Sequence, residues 1–270
     1  MDVHALQRFL ATAGFDPGEI DGQFGRKTEG ALRAWQASRG MKADGVIGPM
    51  TRTALELAGL VFAALRVTSR CVDLIKAWEG LEDGDPRTVL LEPYPDPVGI
   101  WTVGWGHALQ NPDGSWCRTR AQAEAAMRRL FGAAAITRDQ AKVLLATDIE
   151  VRLPSLLALL KGVATTQDQL DALMSFVFNV GDGPKGFGGS TLRKRHANGV
   201  RVSARIDYGA AKALSQRGDP AGPTEHAFGA WSKAGGSKWF LGLFRRRMCE
   251  AMVYRGDALD TALAHAGALS

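Results

Sequence analysis

The sequence predicts a mostly helical α+β protein of two domains, and three observations lead to this fold class. An internal repeat lies within the first sixty or so residues. A stretch punctuated by proline and glycine, with period-two alternation, follows a helical stripe and predicts a β-hairpin. Beyond it, Thr-x-x-Gln sequences open several segments with apolar residues at helical spacing.

Composition is that of a globular protein, with 46% hydrophobic and 23% charged residues in 270 positions. The net charge of +5 favours anionic partners. Cys71, Cys117 and Cys249 are odd in number and far apart, so we expect reduced thiols, and no spacing suggests a metal or cofactor. The longest apolar run, Leu57–Leu65, is too short to span a membrane, so no stable membrane insertion is expected.

The first domain is built on a repeat in which Asp21–Leu32 aligns with Asp44–Leu55, with the shared pattern D-G-x-φ-G-x-x-T-x-x-A-L. Each Asp-Gly predicts a turn, and each second glycine precedes a helix. We expect helices over about His4–Ala13, Arg26–Ser38 and Pro49–Ala64. The aromatic and aliphatic residues of the pattern are expected in the core and its aspartates in turns, rather than at a ligand.

This repeat resembles the peptidoglycan-binding module of bacterial wall hydrolases, because Leu6-Gln7 precedes it and Trp35-Gln36 lies between its halves. The resemblance covers about residues 3–60 and implies a wall-anchoring function. We place the domain boundary at residue 66, where the polar run RVTSR separates two apolar stripes. The predicted domains are therefore residues 1–66 and residues 67–270.

The second domain opens with a helical stripe that ends beside Glu79. A carboxyl at the end of an apolar stripe is partly desolvated, and desolvation favours the protonated form that a general acid requires. The apolar positions, at i, i+3, i+4 and i+7, are Cys71, Leu74, Ile75 and Trp78.

The predicted hairpin follows, from Tyr94 to His107, with two prolines flanking Asp96 and glycines at 99, 104 and 106. Asp96 lies in a polar turn, where a carboxylate is expected to stay ionised. Two carboxyls in opposed environments, Glu79 and Asp96, are typical of glycoside hydrolysis.

The same residues resemble the active-site segment of phage lysozymes, the endolysins of glycoside hydrolase family 24. The match is Glu79-Gly80 followed by YPDPVGIWTVGWGH, which supplies Glu, Asp and Thr in the family's order as Glu79, Asp96 and Thr102. The family joins its Glu and Asp by a shorter connection than Leu81–Pro93, which holds further acids. Glu82 is the alternative acid, but it has neither the Glu-Gly pair nor the stripe. We interpret all the extra acids as a solvated loop.

The remainder of the chain is predicted to be helical. Capping boxes at Thr119, Thr137 and Thr166 mark three helix starts, and the helix after Thr166 is apolar at core spacing. The segments SFVFNVG, STLRKRHANG, FGAWSKAGG and GLFRRRMCE also resemble the helical lobe of phage lysozymes, in the same order. The resemblance thus covers about residues 70–256 and implies a small hairpin lobe and a larger helical lobe.

Two basic clusters have alternative interpretations. Both are either solvated faces or surfaces attracted to an anionic bacterial envelope, while nucleic acid is not expected because no recognised nucleic-acid-binding motif accompanies the charge. In the family, an arginine near the last core helix can pair with the catalytic Glu. The clusters are Arg193–Arg195 with Arg201 and Arg205, and Arg245–Arg247, whose three arginines are the candidates for that pair. His107 is expected to orient other groups or fill the core.

The resemblance implies hydrolysis of the β-1,4 bond between N-acetylmuramic acid and N-acetylglucosamine in bacterial peptidoglycan, with host lysis as the result. Glu79 would protonate the leaving oxygen, and Asp96 with Thr102 would position the water. A lytic transglycosylase and a non-catalytic wall-binding protein are the alternatives. We expect a monomer without cofactor. Because MDVHALQRFL has no secretory pattern, the protein is expected to stay in the host cytoplasm until it is released to the cell wall.

Overall fold

The computed structural model describes residues 3–60, 65–79, 90–96, 98–234 and 237–270, and at positions 49, 53 and 56 it describes the backbone alone. The chain forms two compact units. The first combines Met1–Arg66 with Ser155–Ser270, and the second is Val67–Pro154. The first break falls at Arg66/Val67, and the second falls near the end of a long helix. The fold is mostly helical with small antiparallel sheets, as predicted.

The first part of the first unit is a three-helix module with its own core. Its helices are α1 (Val3–Thr12), α2 (Arg26–Ser38) and α3 (Pro49–Leu57). Trp35 is completely buried and meets Phe9 edge to face, with ring centroids 5.8 Å apart. The buried residues of this core are Val3, Leu6, Leu10, Ala31, Leu32, Trp35, Ile47, Leu55 and Leu60. Phe24 packs against the core but is only partly buried.

The predicted extension of the third helix toward residue 64 is wrong within the described residues. The helix ends at Leu57 because Gly59 adopts φ +96°, which lets the Leu60 N–H reach back to the Leu55 carbonyl at 2.9 Å. This left-handed glycine closure terminates helices. Residues 61–64 lie outside the described residues.

A buried glutamine holds the Asp-Gly turn in each half of the repeat. The amide of Gln7 donates to the Asp21 carboxylate at 2.9 Å, and its oxygen accepts from the Gly22 N–H at 2.8 Å. Gln36 does the same in the second half, with Asp44 and Gly45. Each Asp-Gly turn is thus docked on an interior amide, and the Gln7 amide helps to hold the pKa of the Asp21 carboxyl below its usual value. Both aspartates also accept from the backbone two residues on, as predicted for turn residues.

The second unit contains helices α4 (Ser69–Trp78), α5 (Arg120–Phe131) and most of α6 (Arg138–Leu159). Its sheets are short. Strands β2 (Tyr94–Pro95), β3 (Trp101–Val103) and β4 (His107–Ala108) form one antiparallel sheet in that order, and β1 (Leu90–Leu91) pairs with β5 (Ile136–Thr137) in another. The sequence predicted only the hairpin of β2 and β3. The third strand arises because Gly104 and Gly106, both at positive φ, turn the chain back along β3.

The rest of the first unit is the helical lobe. Its core helix α7 pairs closely with α11, and Phe176 of α7 meets three other aromatic rings edge to face. The lobe comprises α7 (Gln167–Val180), α8 (Thr191–Ala197), α9 (Tyr208–Arg217), α10 (Thr224–Gly229), β6 (Lys233–Ala234), β7 (Lys238–Trp239), α11 (Leu241–Arg255) and α12 (Leu259–Ala268).

Three predicted helix starts are confirmed. The Thr119 and Thr166 capping boxes are complete, and at Thr137 both reciprocal bonds with Gln140 are present. Across the described ranges, no helix combines the length and the apolar character needed to cross a lipid bilayer.

Candidate active site

Glu79, the predicted acid, lies at the end of α4. The Thr68 hydroxyl caps the start of this helix by accepting from the Cys71 N–H at 3.0 Å. At the other end Glu79 leaves the helix with extended backbone angles, while its N–H still bonds the Ile75 carbonyl at 2.9 Å. The preceding apolar face is buried and Glu79 itself is half-buried. The carboxyl therefore stands at the border between an apolar helix face and solvent.

Asp96 lies in the turn after β2 and is held firmly. Its Oδ1 accepts two backbone hydrogen bonds, from Val98 at 2.9 Å and from Ile100 at 2.7 Å. Its own N–H bonds the Ile100 carbonyl at 2.7 Å. Gly99 adopts φ +78°, which the turn requires, and Arg118 braces it by donating to the Val98 carbonyl at 2.9 Å. Among the described residues, no hydrogen bond goes to Oδ2 of Asp96, so this oxygen is available to a water.

Thr102 lies in the middle of β3, opposite Tyr94. Because side chains alternate along a strand, Asp96, two residues after Tyr94, falls on the same face of the sheet as Thr102. The Thr102 residue is 5% exposed, and its hydroxyl makes a long contact of 3.4 Å with the Tyr94 carbonyl. Asp96 and Thr102 are thus brought to one side of a single small sheet. Glu79 belongs to the same compact unit.

The turn between β3 and β4 fixes this sheet on α4 and α6. An added Cβ at Gly104 would lie 2.9 Å from the Ala141 side chain of α6, so only glycine allows this approach. Trp105 is buried, and the Lys76 ammonium of α4 lies 5.1 Å from its ring centroid. His107 in β4 meets both carboxylate oxygens of Asp148 on α6 at 2.9 Å. The sequence analysis expected His107 to orient other groups or fill the core, and in the structure it pairs with Asp148.

Asp148 was missed by the sequence reasoning. It lies 41 positions from its partner His107, and no local motif marks it. The three tryptophans of this segment differ in burial. Trp105 is buried, Trp101 is half-buried, and Trp116 is 43% exposed.

The extra acids of the long connection lie mostly outside the described residues. Glu82, Asp83 and Asp85 fall in that undescribed part, so Glu82 stays an alternative acid by sequence only. Glu92 is described, and its side chain is 71% exposed beside Arg120. This agrees with the solvated loop expected for the extra acids.

The second basic cluster does not present its charge to solvent as a whole. Arg246 and Arg247 are buried and pair with Glu250 at 3.1 and 3.3 Å, and Arg247 also lies over the Phe176 ring. Arg245 donates to the Leu269 carbonyl. An envelope-facing role for Arg246 and Arg247 is therefore wrong, because these arginines are interior ion-pair partners. Which of the three pairs with the catalytic Glu stays a prediction.

The first basic cluster is also partly used within the fold. Arg193 donates to the carbonyls of Leu159 and Gly188, and Arg195 donates to those of two prolines, Pro220 and Pro223. Lys194 and Arg205 are exposed. Only part of this cluster therefore remains as a cationic surface.

Comparison with known proteins identifies both parts of the chain. The phage lysozyme family matches residues 77–208, which include Glu79, Asp96 and Thr102. The endolysin of Acyrthosiphon pisum secondary endosymbiont phage 1 is 31% identical over 193 residues, which are 70% of this chain and 98% of that protein. The chain belongs to the phage lysozyme family.

Further matches are to a second family model, to another curated protein and to solved structures. Residues 1–55 match a putative peptidoglycan binding domain. The N-acetylmuramoyl-L-alanine amidase CwlM of Mycobacterium tuberculosis is 34% identical over 113 residues, 42% of this chain, and the chain spans only 26% of that protein. Among solved structures, the endolysin of Escherichia coli phage FAHEc1 is 29% identical, with 72% of this chain and 96% of that chain covered and a TM-score of 0.46.

The predicted family, an endolysin with an N-terminal peptidoglycan-binding module, is confirmed, and so is the predicted enzyme class, a lysozyme. The site residues and the domain limits at residues 66 and 67 stay predictions.

Proposed function

We propose that this lysozyme hydrolyses the β-1,4 bond between N-acetylmuramic acid and N-acetylglucosamine, with Glu79 as general acid and Asp96 as the group that activates water. The observation that carries the proposal is the Asp96 turn. Two N–H donors fix Oδ1, and no described residue donates to Oδ2, so one carboxylate oxygen is immobilised and the other can hold a water in a defined direction.

Thr102 is the second group that this water would contact. Its hydroxyl lies on the same sheet face as Asp96, and its contact with the Tyr94 carbonyl is long enough to yield to a better partner. The hydroxyl can donate to Tyr94 while its lone pairs accept from the water. Asp96 then takes a proton as the water attacks the anomeric carbon.

Glu79 would donate its proton to the oxygen of the departing sugar. Its half-buried position directly after the buried face of α4 supports this role. In the proposed reaction the water enters opposite the leaving group, and the configuration inverts. Such a mechanism needs about 6.5–9.5 Å between the carboxyls.

Four variants in a turbidity assay on permeabilised cells test these roles. Glu79→Gln keeps the size of the side chain but cannot donate a proton, so we expect clearing to fall by about 10²–10⁴-fold or more. Asp96→Asn should also be severe. Thr102→Ser should be mild and Thr102→Val worse, because the water needs the hydroxyl. Full activity in Glu79→Gln would remove Glu79 as the acid and leave Glu82 as the next candidate.

The two alternatives make different predictions. A non-catalytic wall-binding protein would bind the suspension without clearing it. A lytic transglycosylase would clear it with one acid, so Asp96→Asn and Thr102→Val would remain active. The placement of Asp96 and Thr102 on one sheet face favours hydrolysis, since a transglycosylase has no water to position.

For the module, we propose wall anchoring that leads to lysis of the host. The module has its own core, which supports independent folding of residues 1–66. Removing them should leave an enzyme that binds walls less tightly, most visibly on dilute substrate, because anchoring raises the effective substrate concentration. A pull-down with purified walls measures this, and undiminished binding would exclude the anchoring role. A soluble oligosaccharide provides the control for intact catalysis.

A further inference from the structure

We propose that the helical lobe carries a docking surface for the chain's own three-helix module, and that Arg201 is its anchor. Arg201 lies between α8 and α9, and its side chain makes two contacts with the module. Its Nη1 lies 3.3 Å from Oε2 of Glu29, and its guanidinium carbon lies 4.7 Å from the ring centroid of Phe24. One arginine thus makes an ion pair and a cation–π contact across the two segments.

The module presents these partners in a fixed arrangement. Glu29 uses its other oxygen to bind Arg33 of the same helix at 2.9 Å, so its carboxylate is oriented before the lobe contacts it. Phe24 occupies the apolar position of the first half of the repeat, and the equivalent residue of the second half is Ile47. Ile47 is buried within the module, whereas Phe24 is only partly buried, and its ring meets Arg201. The two halves of the repeat therefore differ where the lobe docks.

Two further contacts extend the surface. Gly199 adopts φ +68°, and an added Cβ would lie 3.3 Å from a methyl of Val46, so glycine permits the backbone of the lobe to approach the module closely. Ala164, before α7, packs against the core of the module. The Gln167 side-chain amide of α7 donates to the Arg66 carbonyl at 2.8 Å and so binds the residue at which the first part of this unit ends.

The consequence is that the module and the helical lobe form one body, and the module does not swing on a tether. Glu29 is about a third exposed and Arg201 about half, so neither contact alone is strong. Loss of both Arg201 contacts should shift the docked-to-undocked ratio by roughly tenfold, which corresponds to about 1.4 kcal/mol. A docked module would hold a bound wall strand in one orientation relative to the helical lobe.

Electron spin resonance distance measurements on the full chain test the proposal. Spin labels at Ala11→Cys and Gln216→Cys, both exposed positions, report the separation of module and lobe, and the native cysteines are buried. We expect one narrow distance distribution in the parent chain. Arg201→Ala should broaden it. Arg205→Ala is the matched control, because it removes the same charge at an exposed position four residues away and should leave the distribution narrow.

A second variant acts from the module side. Val46→Glu places a charged side chain against Gly199 and should broaden the distribution even if Arg201→Ala proves too unstable to measure. A broad distribution in the parent chain would overturn the proposal. Equal distributions in Arg201→Ala and Arg205→Ala would overturn the anchoring role of Arg201. Because the experiment measures a distance, its outcome does not depend on whether the enzyme is active.

Discussion

The unfolding free energy of the enzyme should fall between neutral and mildly acidic pH, and replacing His196 should make that decrease smaller. His196 in α8 is 3% exposed and lies between two hydroxyl groups. Its Nδ1 is 2.7 Å from the Tyr254 hydroxyl, and its Nε2 is 2.8 Å from the Thr165 hydroxyl, which in turn donates to the Val163 carbonyl. All of these hydrogen bonds form when the Tyr254 hydroxyl donates to Nδ1 and Nε2–H donates to the Thr165 hydroxyl. Since Nδ1 then accepts a hydrogen bond, the folded protein favours the neutral imidazole.

Burial lowers the pKa of His196 from 6.5 to about 4. Because the folded pKa is depressed, the unfolded chain binds a proton between these values that the folded chain does not. Stability is therefore fully present above the unfolded pKa and is lost as the pH falls toward 4. At about 1.4 kcal/mol per pKa unit, the loss from this residue amounts to about 2 kcal/mol between pH 7.5 and pH 5.

Urea unfolding at pH 7.5 and pH 5, followed by tryptophan fluorescence, measures this loss. In His196→Gln the decrease in unfolding free energy should be about 2 kcal/mol smaller than in the parent. Carboxylates that titrate in both proteins cancel in the comparison. His265→Gln makes the same substitution at an exposed position and controls for removal of a histidine. Equal decreases in the parent and His196→Gln would refute the reasoning.

Ion pairs and surface charge should contribute measurably to stability and lysis. His107 and Asp148 should show a coupling of about 1–3 kcal/mol in a double-mutant cycle of asparagine variants, measured by unfolding, and no coupling would mean that the pair does not hold the sheet on α6. Glu250→Gln should lower the unfolding free energy by about 3–5 kcal/mol, because it removes the buried carboxylate that pairs with both Arg246 and Arg247; a loss below about 1 kcal/mol would contradict this. Lysis should weaken as salt rises, since the Debye length is only about 8 Å at physiological ionic strength. Replacing Lys194 and Arg205 by glutamine should flatten that dependence, and a profile already flat in the parent would mean that the exposed charges are only a solvated surface.

Features that depend on residues close together in the sequence could be predicted from it. Features that depend on contacts between distant residues could not. The Thr-x-x-Gln capping boxes and the Asp-Gly turns depend on side chains within a few positions, so the pattern alone located them. The early end of α3 depends on the conformation of Gly59, which a pattern that favours continued helix does not reveal. Asp148 and the third strand of the sheet depend on how α6 and the 104–106 turn pack, which is tertiary information.

The basic run at Arg245–Arg247 shows a different limit of sequence reasoning. Charge counted along the chain suggested an outward face, but Glu250, one turn later on the same helix, pairs two of the arginines in the interior. Helical spacing at i, i+3 and i+4 made that pairing geometrically available. The arginines pair with Glu250 because this part of the helix is buried, and a count of charges along the sequence does not reveal burial.

The anomeric form of the freshly released reducing-end N-acetylmuramic acid tests the central claim most directly. Proton NMR during early digestion of soluble glycan distinguishes the anomers before they equilibrate. A water held by Asp96 and Thr102 and a proton from Glu79 predict the α anomer, formed by inversion. A β anomer would mean that Asp96 attacks as a nucleophile, and a 1,6-anhydro end would mean that no water takes part.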